Sequence, residues 1–191
     1  MSREIRRKAF HGLSLLYLWF YLRQGREAFL LPMGIWLLIV IFFELGRLWS
    51  PKLNRWVMAP FESFRRREEK TKPSAILYTA LGCWLTVLFF GQGREVILAS
   101  FLFLALGDAA AALIGQVWNW GSFTIRGCKK SLSGSLACFV VCFFVAWFLG
   151  LPPKALWGGS LAATILELLP LPLNDNFWMP LGSALVLSAL I

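Results

Sequence analysis

The sequence predicts an all-α, polytopic transmembrane helix bundle of about seven spans with a cytoplasmic amino terminus. Three observations carry this expectation. Hydrophobic residues make up 58% of the 191 positions and charged ones 15%, where a soluble domain holds roughly half and a quarter. The apolar residues come in blocks instead of being spread evenly, which marks spans and not an enlarged core. The cations cluster at the ends of alternate blocks, so that one side of the membrane receives 15 of the 19 Lys and Arg residues and the other receives 4. That asymmetry is the positive-inside bias.

Seven blocks follow in order: 9–22, 28–46, 74–91, 95–115, 132–150, 155–170 and 177–191. The first, sixth and seventh would be only roughly 21–24 Å long as helices, and need help from their flanks to cross a hydrocarbon core of about 30 Å. The first block is nevertheless expected to cross. Were it to lie flat, the eight cations between Arg47 and Lys72 would change sides and the bias would nearly vanish. The long polar connection 47–73 contains Pro51, Pro60 and the run RRREEKTK. It reads either as a solvated loop or as an interfacial helix anchored by Trp56, Phe61 and Phe64. The connections GQGRE and GLPPK are short Gly- and Pro-containing turns. The whole chain, 1–191, is expected to be one domain.

The net charge of +9 is explained by cations flanking spans and facing anionic headgroups. No basic helix or aromatic-studded strand stands free of a span, so nucleic acid is not an expected partner. Cys83, Cys128, Cys138 and Cys142 form no metal-spaced cluster, and Cys138 with Cys142 reads as a small apolar pair on one helix face. The basic start runs into an aromatic-rich stretch with no small-residue cleavage site, so no cleavable signal peptide is expected.

Ionisable groups inside spans are costly and invite a functional reading. Asp108 lies in LFLALGDAAAALIG about 10 Å from the cytoplasmic end of its helix. Gly107, Ala111 and Gly115 repeat there every four residues and form a small face that admits a helix or a ligand. The plainer alternative is an ion pair joining two helices. In IRGCKKSLSGSLACFVV, Lys130, Ser131, Gly134 and Ser135 open the fifth block. A helix start with a lysine and hydroxyls suits phosphate, although the Walker order is absent and a basic flank with a serine cap explains the same letters. Glu167 ends the sixth block, and Asp175 and Asn176 precede the last. Oxygen ligands of this kind suit Mg²⁺, while the triplet NDN also suits a helix cap. Glu44 and Arg47 are spaced to pair on one helix face. His11 follows a basic cluster and also fits a plain interfacial aromatic. All five features fall on or near one membrane face, and together they hold what phosphoryl transfer requires.

The motif order resembles the membrane-bound, CTP-dependent lipid-alcohol kinases: dolichol kinase, phytol and farnesol kinases and CTP-using diacylglycerol kinase. The likeness covers most of the chain. It runs from REIRRKAFH (Arg7, Lys8, His11) through ELGR (Glu44, Arg47) and RRREE (Arg66, Glu69). It continues in GDAAAALIG (Gly107, Asp108, Gly115), KSLSGS (Lys130, Ser131, Gly134, Ser135) and ELLPLPLNDN (Glu167, Asp175, Asn176). Ser133 stands where the family usually has an acidic residue, and Trp118 and Trp120 are unusual in their loop. Phosphatidate cytidylyltransferase is the nearest alternative by mechanism. It carries a histidine–glycine pair and further aspartates near its carboxyl terminus, where this chain ends in NDNFWMP and an uncharged helix.

The resemblance implies transfer of the γ-phosphate of CTP, with Mg²⁺, to a lipid alcohol at the cytoplasmic leaflet. Asp108, Glu167 and Asp175 would be catalytic, and Asp108, Asp175 and Asn176 would hold the metal. Lys130, Ser131, Gly134, Ser135, Gly107, Gly115 and Arg47 would contact the nucleotide, with His11, Lys8, Glu44 and Glu69 in support. Membrane lipids and the two substrates are the expected partners, and a homo-oligomer is compatible with the reading. In a bacterium the expected location is the inner membrane. A small transporter or structural subunit is the non-enzymatic alternative, but the outer half is almost bare of the polar residues that transport needs.

Overall fold

The computed structural model describes residues 12–59, 72–125 and 128–191. His11, Lys8, Arg7, Arg66 and Glu69 therefore lie outside the described residues, as do residues 60–71 of the polar connection. The described chain is mostly helical. It comprises α1 (Gly12–Trp49), α2 (Pro51–Met58), α3 (Ala75–Phe90), α4 (Arg94–Leu102), a π-helical turn (Phe103–Gly107) and α5 (Asp108–Val117). There follow a hairpin of β1 (Ser122–Ile125) and β2 (Cys128–Ser131), then α6 (Leu132–Phe148), α7 (Pro153–Leu168) and α8 (Asp175–Leu190).

The expected first and second spans are the two arms of α1, and they meet with no connecting loop. Gly25 has φ 77° and ψ 179°, a region that essentially only glycine occupies. Trp36 Nε1 donates to the Tyr17 hydroxyl at 3.0 Å. Nineteen residues of straight helix would separate these groups by about 28 Å, so the chain must reverse between them. Phe29 packs on Phe20 and Tyr21 beside the bend. The Tyr21 hydroxyl then donates to the Gly91 carbonyl at 2.9 Å and Arg26 Nη2 to the Leu88 carbonyl at 2.9 Å. These bonds fasten the bend to the end of α3.

Helix starts follow local chemistry. Ser50 caps α2 with Pro51 at its first position, Ser74 caps α3, Ser131 caps α6 and Asn174 caps α8, each accepting from a nearby backbone N–H. The cap reading of NDN therefore holds for Asn174. Leu53 of α2 lies over Gly46, where an added Cβ would meet its Cδ2 at 3.0 Å. Lys52, Arg55 and Trp56 face outward, as a surface helix between bundle and headgroups would present them. One departure from an all-α fold is the antiparallel hairpin, which pairs Ser122 with Ser131 and Phe123 with Lys130. Trp118 and Trp120, flanked by Asn119 and Gly121, end α5 and lead into it.

Burial is inverted relative to a water-soluble protein. Leu31, Phe42 and Phe148 are more than 70% exposed, whereas Thr86, Ser100, Ser160 and Ser183 are fully buried. Several of the buried hydroxyls bond to their own helix, Thr86 to the Gly82 carbonyl at 2.7 Å and Thr164 to the Ser160 carbonyl at 2.8 Å. An apolar exterior of this extent requires lipid around it. Ser14–Trp49 and Arg94–Val117 are long and apolar enough to cross a membrane by themselves, and Ala75–Phe90 and Leu132–Phe148 are shorter apolar helices. The chain is a membrane protein.

Replacing Gly25 isolates the backbone contribution, because nothing lies within 4 Å of a Cβ added there. Gly25→Ala should destabilise the fold by about 1–3 kcal/mol. Gly12→Ala, where space is equally open and φ is ordinary, should leave the melting temperature unchanged or slightly raised. Thermal unfolding of both variants in one detergent measures the difference.

Candidate active site

The ends of α1, α5 and α7 and the starts of α3, α6 and α8 gather at one end of the bundle, because successive helices run antiparallel. The polar residues singled out in the sequence fall into two groups there.

The first group surrounds Lys130, the residue of β2 next to the Ser131 cap of α6. Its Nζ donates to Glu167 Oε1 at 2.5 Å and to the Glu167 backbone carbonyl. Glu167 occupies the last turn of α7 and is 5% exposed. The ammonium thus binds both the side chain and one of the carbonyls that a helix end leaves without a partner. Burial alone would push the Lys130 pKa down. The fields of Glu167, Asp175 and Asp108 outweigh it and raise the pKa above its ordinary value, so Lys130 stays charged at neutral pH. Glu167 of α7 thus touches this ammonium, and the carboxylates of α5 and α8 lie within its electrostatic reach. The Asn176 side chain is 3% exposed, and its Oδ1 has no hydrogen-bond partner among the described residues. A buried unsatisfied oxygen costs about 1–3 kcal/mol, so Asn176 is the group most in need of an additional partner. The buried Ser135 Oγ shares that condition.

Asp108 is 2% exposed, and it begins α5 directly after the π-helical turn. Its N–H donates to the Phe103 carbonyl five residues back, so the turn holds one residue more than an α-helix would. Inserting that residue rotates everything beyond it and thereby sets the direction in which Asp108 points. Such turns recur at functional sites. The alternation of apolar and small residues in FLALGD carries no signal for it. A second irregularity lies between Glu167 and Asp175, where Leu173 has φ 71°. It is the only non-glycine residue with positive φ among those described, and it is held in a region that a leucine seldom adopts.

The glycines pack helices. A Cβ on Gly107 would meet Cys142 Sγ at 2.6 Å and Cys138 Sγ at 3.3 Å. One on Gly134 would meet the Ala111 carbonyl at 2.7 Å, and one on Gly115 would meet Ser131 Oγ at 2.7 Å. The face of Gly107, Ala111 and Gly115 thus receives a helix, α6, and what comes close to Gly134 is α5. The start of α6 is also satisfied internally. Leu132 N–H donates to the Gly121 carbonyl at 3.3 Å, Ser133 N–H to the Trp120 carbonyl at 3.4 Å and Gly134 N–H to Ser131 Oγ at 3.1 Å. The sequence suggested free N–H donors at this position, but the hairpin and the serine cap engage them.

Arg47 and Glu44 form the second group. Arg47 Nε donates to Glu44 Oε1 at 2.9 Å and Nη2 to Oε2 at 2.6 Å, a two-point fork. Nη2 also donates to the Lys72 carbonyl at 2.8 Å, and the Ser74 N–H donates to Glu44 Oε2 at 3.0 Å. Arg47 is 1% exposed. The pair joins the end of α1 to the start of α3. Gly82 of α3, whose added Cβ would meet the Asn176 carbonyl at 3.0 Å, lies eight residues past Ser74, or about 12 Å along the helix. The clamp is thus separate from the Lys130 group. Arg47→Ala should destabilise the fold by about 3–5 kcal/mol, by leaving Glu44 buried without its cation. The double change Arg47→Met with Glu44→Gln should recover most of the loss, as read from melting temperatures.

No family model matches the chain, and no solved structure matches it at a significant level. Curated proteins do. A CTP-dependent diacylglycerol kinase of Saccharomyces cerevisiae is 28% identical over all of this chain and 74% of its own length. An uncharacterised protein of Rickettsia prowazekii is 29% identical over 95% of this chain and 92% of its own length. A phytol kinase of Synechocystis is 32% identical over 58% of this chain and 52% of its own length. These likenesses, together with the buried ammonium and carboxylates at one end of a lipid-facing bundle, support a place near the CTP-dependent lipid kinases for this chain.

Proposed function

We propose that this protein transfers the γ-phosphate of a nucleotide, CTP by likeness to its relatives, to the hydroxyl of a lipid alcohol at the cytoplasmic leaflet. The observation that carries the proposal is the Lys130–Glu167 pair with Asp175 and Asp108 in electrostatic reach of its ammonium, and an Asn176 oxygen without a partner among the described residues, at the polar end of an apolar bundle. The topology it takes is the seven-span one with the amino terminus inside, which puts this end of the bundle in the cytoplasm, where nucleotide is available.

Among the described residues no three His, Cys, Asp or Glu side chains converge as a metal cage. Mg²⁺ does not require one, because it keeps several waters and takes one or two carboxylates together with substrate phosphates. Asp108, Asp175 and the Asn176 Oδ1 form an all-oxygen set that fits this habit, and the orphaned amide oxygen is the group that binding would satisfy. When bound, the ion would neutralise charge on the phosphates. Lys130 would exchange part of its contact with Glu167 for a phosphate oxygen, with Ser131 and Ser135 as hydroxyl donors close by. The acceptor hydroxyl oxygen attacks the γ-phosphorus, the bond to the β–γ bridging oxygen breaks and the nucleoside diphosphate leaves. Glu167, the carboxylate outside the metal set, would take the hydroxyl proton. Most of the catalysis is then positioning and charge neutralisation, as phosphoryl transfer requires.

The test uses purified protein in detergent with Mg²⁺, CTP labelled at the γ-phosphate or in the cytidine, and a panel of phytol, farnesol, polyprenols and diacylglycerol. γ-Label should move into the lipid phase. Cytidine label appearing there would replace the kinase reading with a cytidylyltransferase. Asp108→Asn and Lys130→Ala should each lower turnover by on the order of 10²-fold or more, with Asp108→Asn melting near the wild-type temperature. An Asp108→Asn protein that melts early but keeps its activity per folded molecule would remove Asp108 from the site.

A further inference from the structure

The α7–α8 pair carries a cleft of about 440 Å³, lined by Ala162, Ile165 and Leu166 of α7, Leu171 of the connection, and Trp178, Gly182, Leu185 and Val186 of α8. Every side chain lining it is apolar. Leu166 packs directly on Gly182, where an added Cβ would meet its Cδ1 at 2.7 Å, so the two helices approach closely there. One end of the cleft lies at Leu171 and Trp178, four residues from Glu167 and two from Asn176 in sequence. Trp178 is held there by its Nε1 donating to the Pro172 carbonyl. From Trp178 the cleft runs along α8 to Val186, about 12 Å deeper into the bundle's apolar zone. Leu166 lines the cleft, and its neighbour Glu167 turns inward to Lys130. One turn of chain thus separates an apolar groove from the polar group.

We infer that this cleft holds the hydrocarbon chain of the acceptor lipid, with the hydroxyl end passing over the 169–174 connection to the Lys130 group. The inference rests on the lipid-kinase reading and adds to it the place where the acceptor's chain is recognised. Continuity is what selects this occupant. A hydrocarbon chain lying in the groove has its head at the one end of the bundle where carboxylates and an ammonium meet, and its tail at the depth where lipid chains reside. The exposed faces of α1 are equally apolar, but among the described residues their polar end carries the Arg47–Glu44 fork and not the Lys130 group. Side-chain volume in the groove then sets which chain is accepted, and Ala162 and Gly182 are the specificity-determining positions.

Two measurements test this. The first compares kcat/KM for a twenty-carbon isoprenoid alcohol and an eight-carbon alcohol in wild type, Ala162→Trp and Leu161→Trp. Ala162→Trp fills the groove and should lower the long-to-short ratio by roughly tenfold, the effect of displacing a few methylenes from an apolar site. Leu161 is exposed beside the groove but does not line it, so Leu161→Trp should keep the wild-type ratio. An unchanged ratio in Ala162→Trp overturns the inference while leaving the kinase reading intact. The second measurement is photocrosslinking with a diazirine-bearing long-chain alcohol, mapped by mass spectrometry. Label should concentrate on the peptide containing Leu171, Trp178 and Val186, fall in Ala162→Trp and be displaced by excess unlabelled alcohol. Displacement by phospholipid alone would make the groove a site for structural lipid, and label spread evenly over α1 would abolish it as a site. If wild type phosphorylates no alcohol, the kinase reading fails and the label map alone decides the groove.

Discussion

Lys130 and Glu167 meet at the rim of a bundle whose exterior is hydrocarbon, and the arrangement of the remaining polar residues depends on that pair. An ammonium and a carboxylate withdrawn from water are tolerated only when each meets opposite charge and hydrogen bonds at close range. Lys130 obtains both from Glu167, which is presented by a helix end whose carbonyl would otherwise lack a partner. Asp175 and Asp108 add negative charge around the same ammonium. The Asn176 oxygen, without a hydrogen-bond partner among the described residues, gives the proposed kinase site its demand for a further donor or cation.

Close packing makes the meeting possible. α5 and α6 approach until the Ala111 carbonyl and the Gly115 Cα lie against Gly134, and Gly107 lies against two cysteine sulfurs. Larger residues at these positions would hold the helices apart and separate Asp108 from Lys130. The π-helical turn adds a rotation that regular geometry would not supply. The Arg47–Glu44 fork anchors the end of α1 to the start of α3, and α3 in turn lies against the first turn of α8 through Gly82.

In the proposed kinase, the polar end and the apolar cleft would divide the two tasks between the two sides of α7 and α8. A nucleotide requires water and charge, and an acyl or isoprenoid chain requires neither. The bend at the 169–174 connection, where Leu173 adopts a left-handed conformation, is the boundary between these two environments. A substrate crossing it would present only its hydroxyl to the charged side.

Sequence alone determined much of the fold. Block composition located nearly every helix, because the free energy of placing twenty apolar residues in lipid is set by the residues themselves and not by their neighbours. The same local logic placed the serine and asparagine caps, since a cap bonds within three residues of itself. It also put Asp108, Lys130, Glu167, Asp175 and Asn176, together with Glu44, Arg47 and His11, on or near one membrane face, through the alternation of cytoplasmic ends. Tertiary structure decided the rest. The bend at Gly25, the satisfied start of α6, the packing use of the glycines and the separate clamp at Arg47 all depend on which helices touch. Lys130 and Glu167 are 37 positions apart, and no period along the chain encodes a contact of that kind. It arises only when close-packed helices bring two costly charges near enough to neutralise each other.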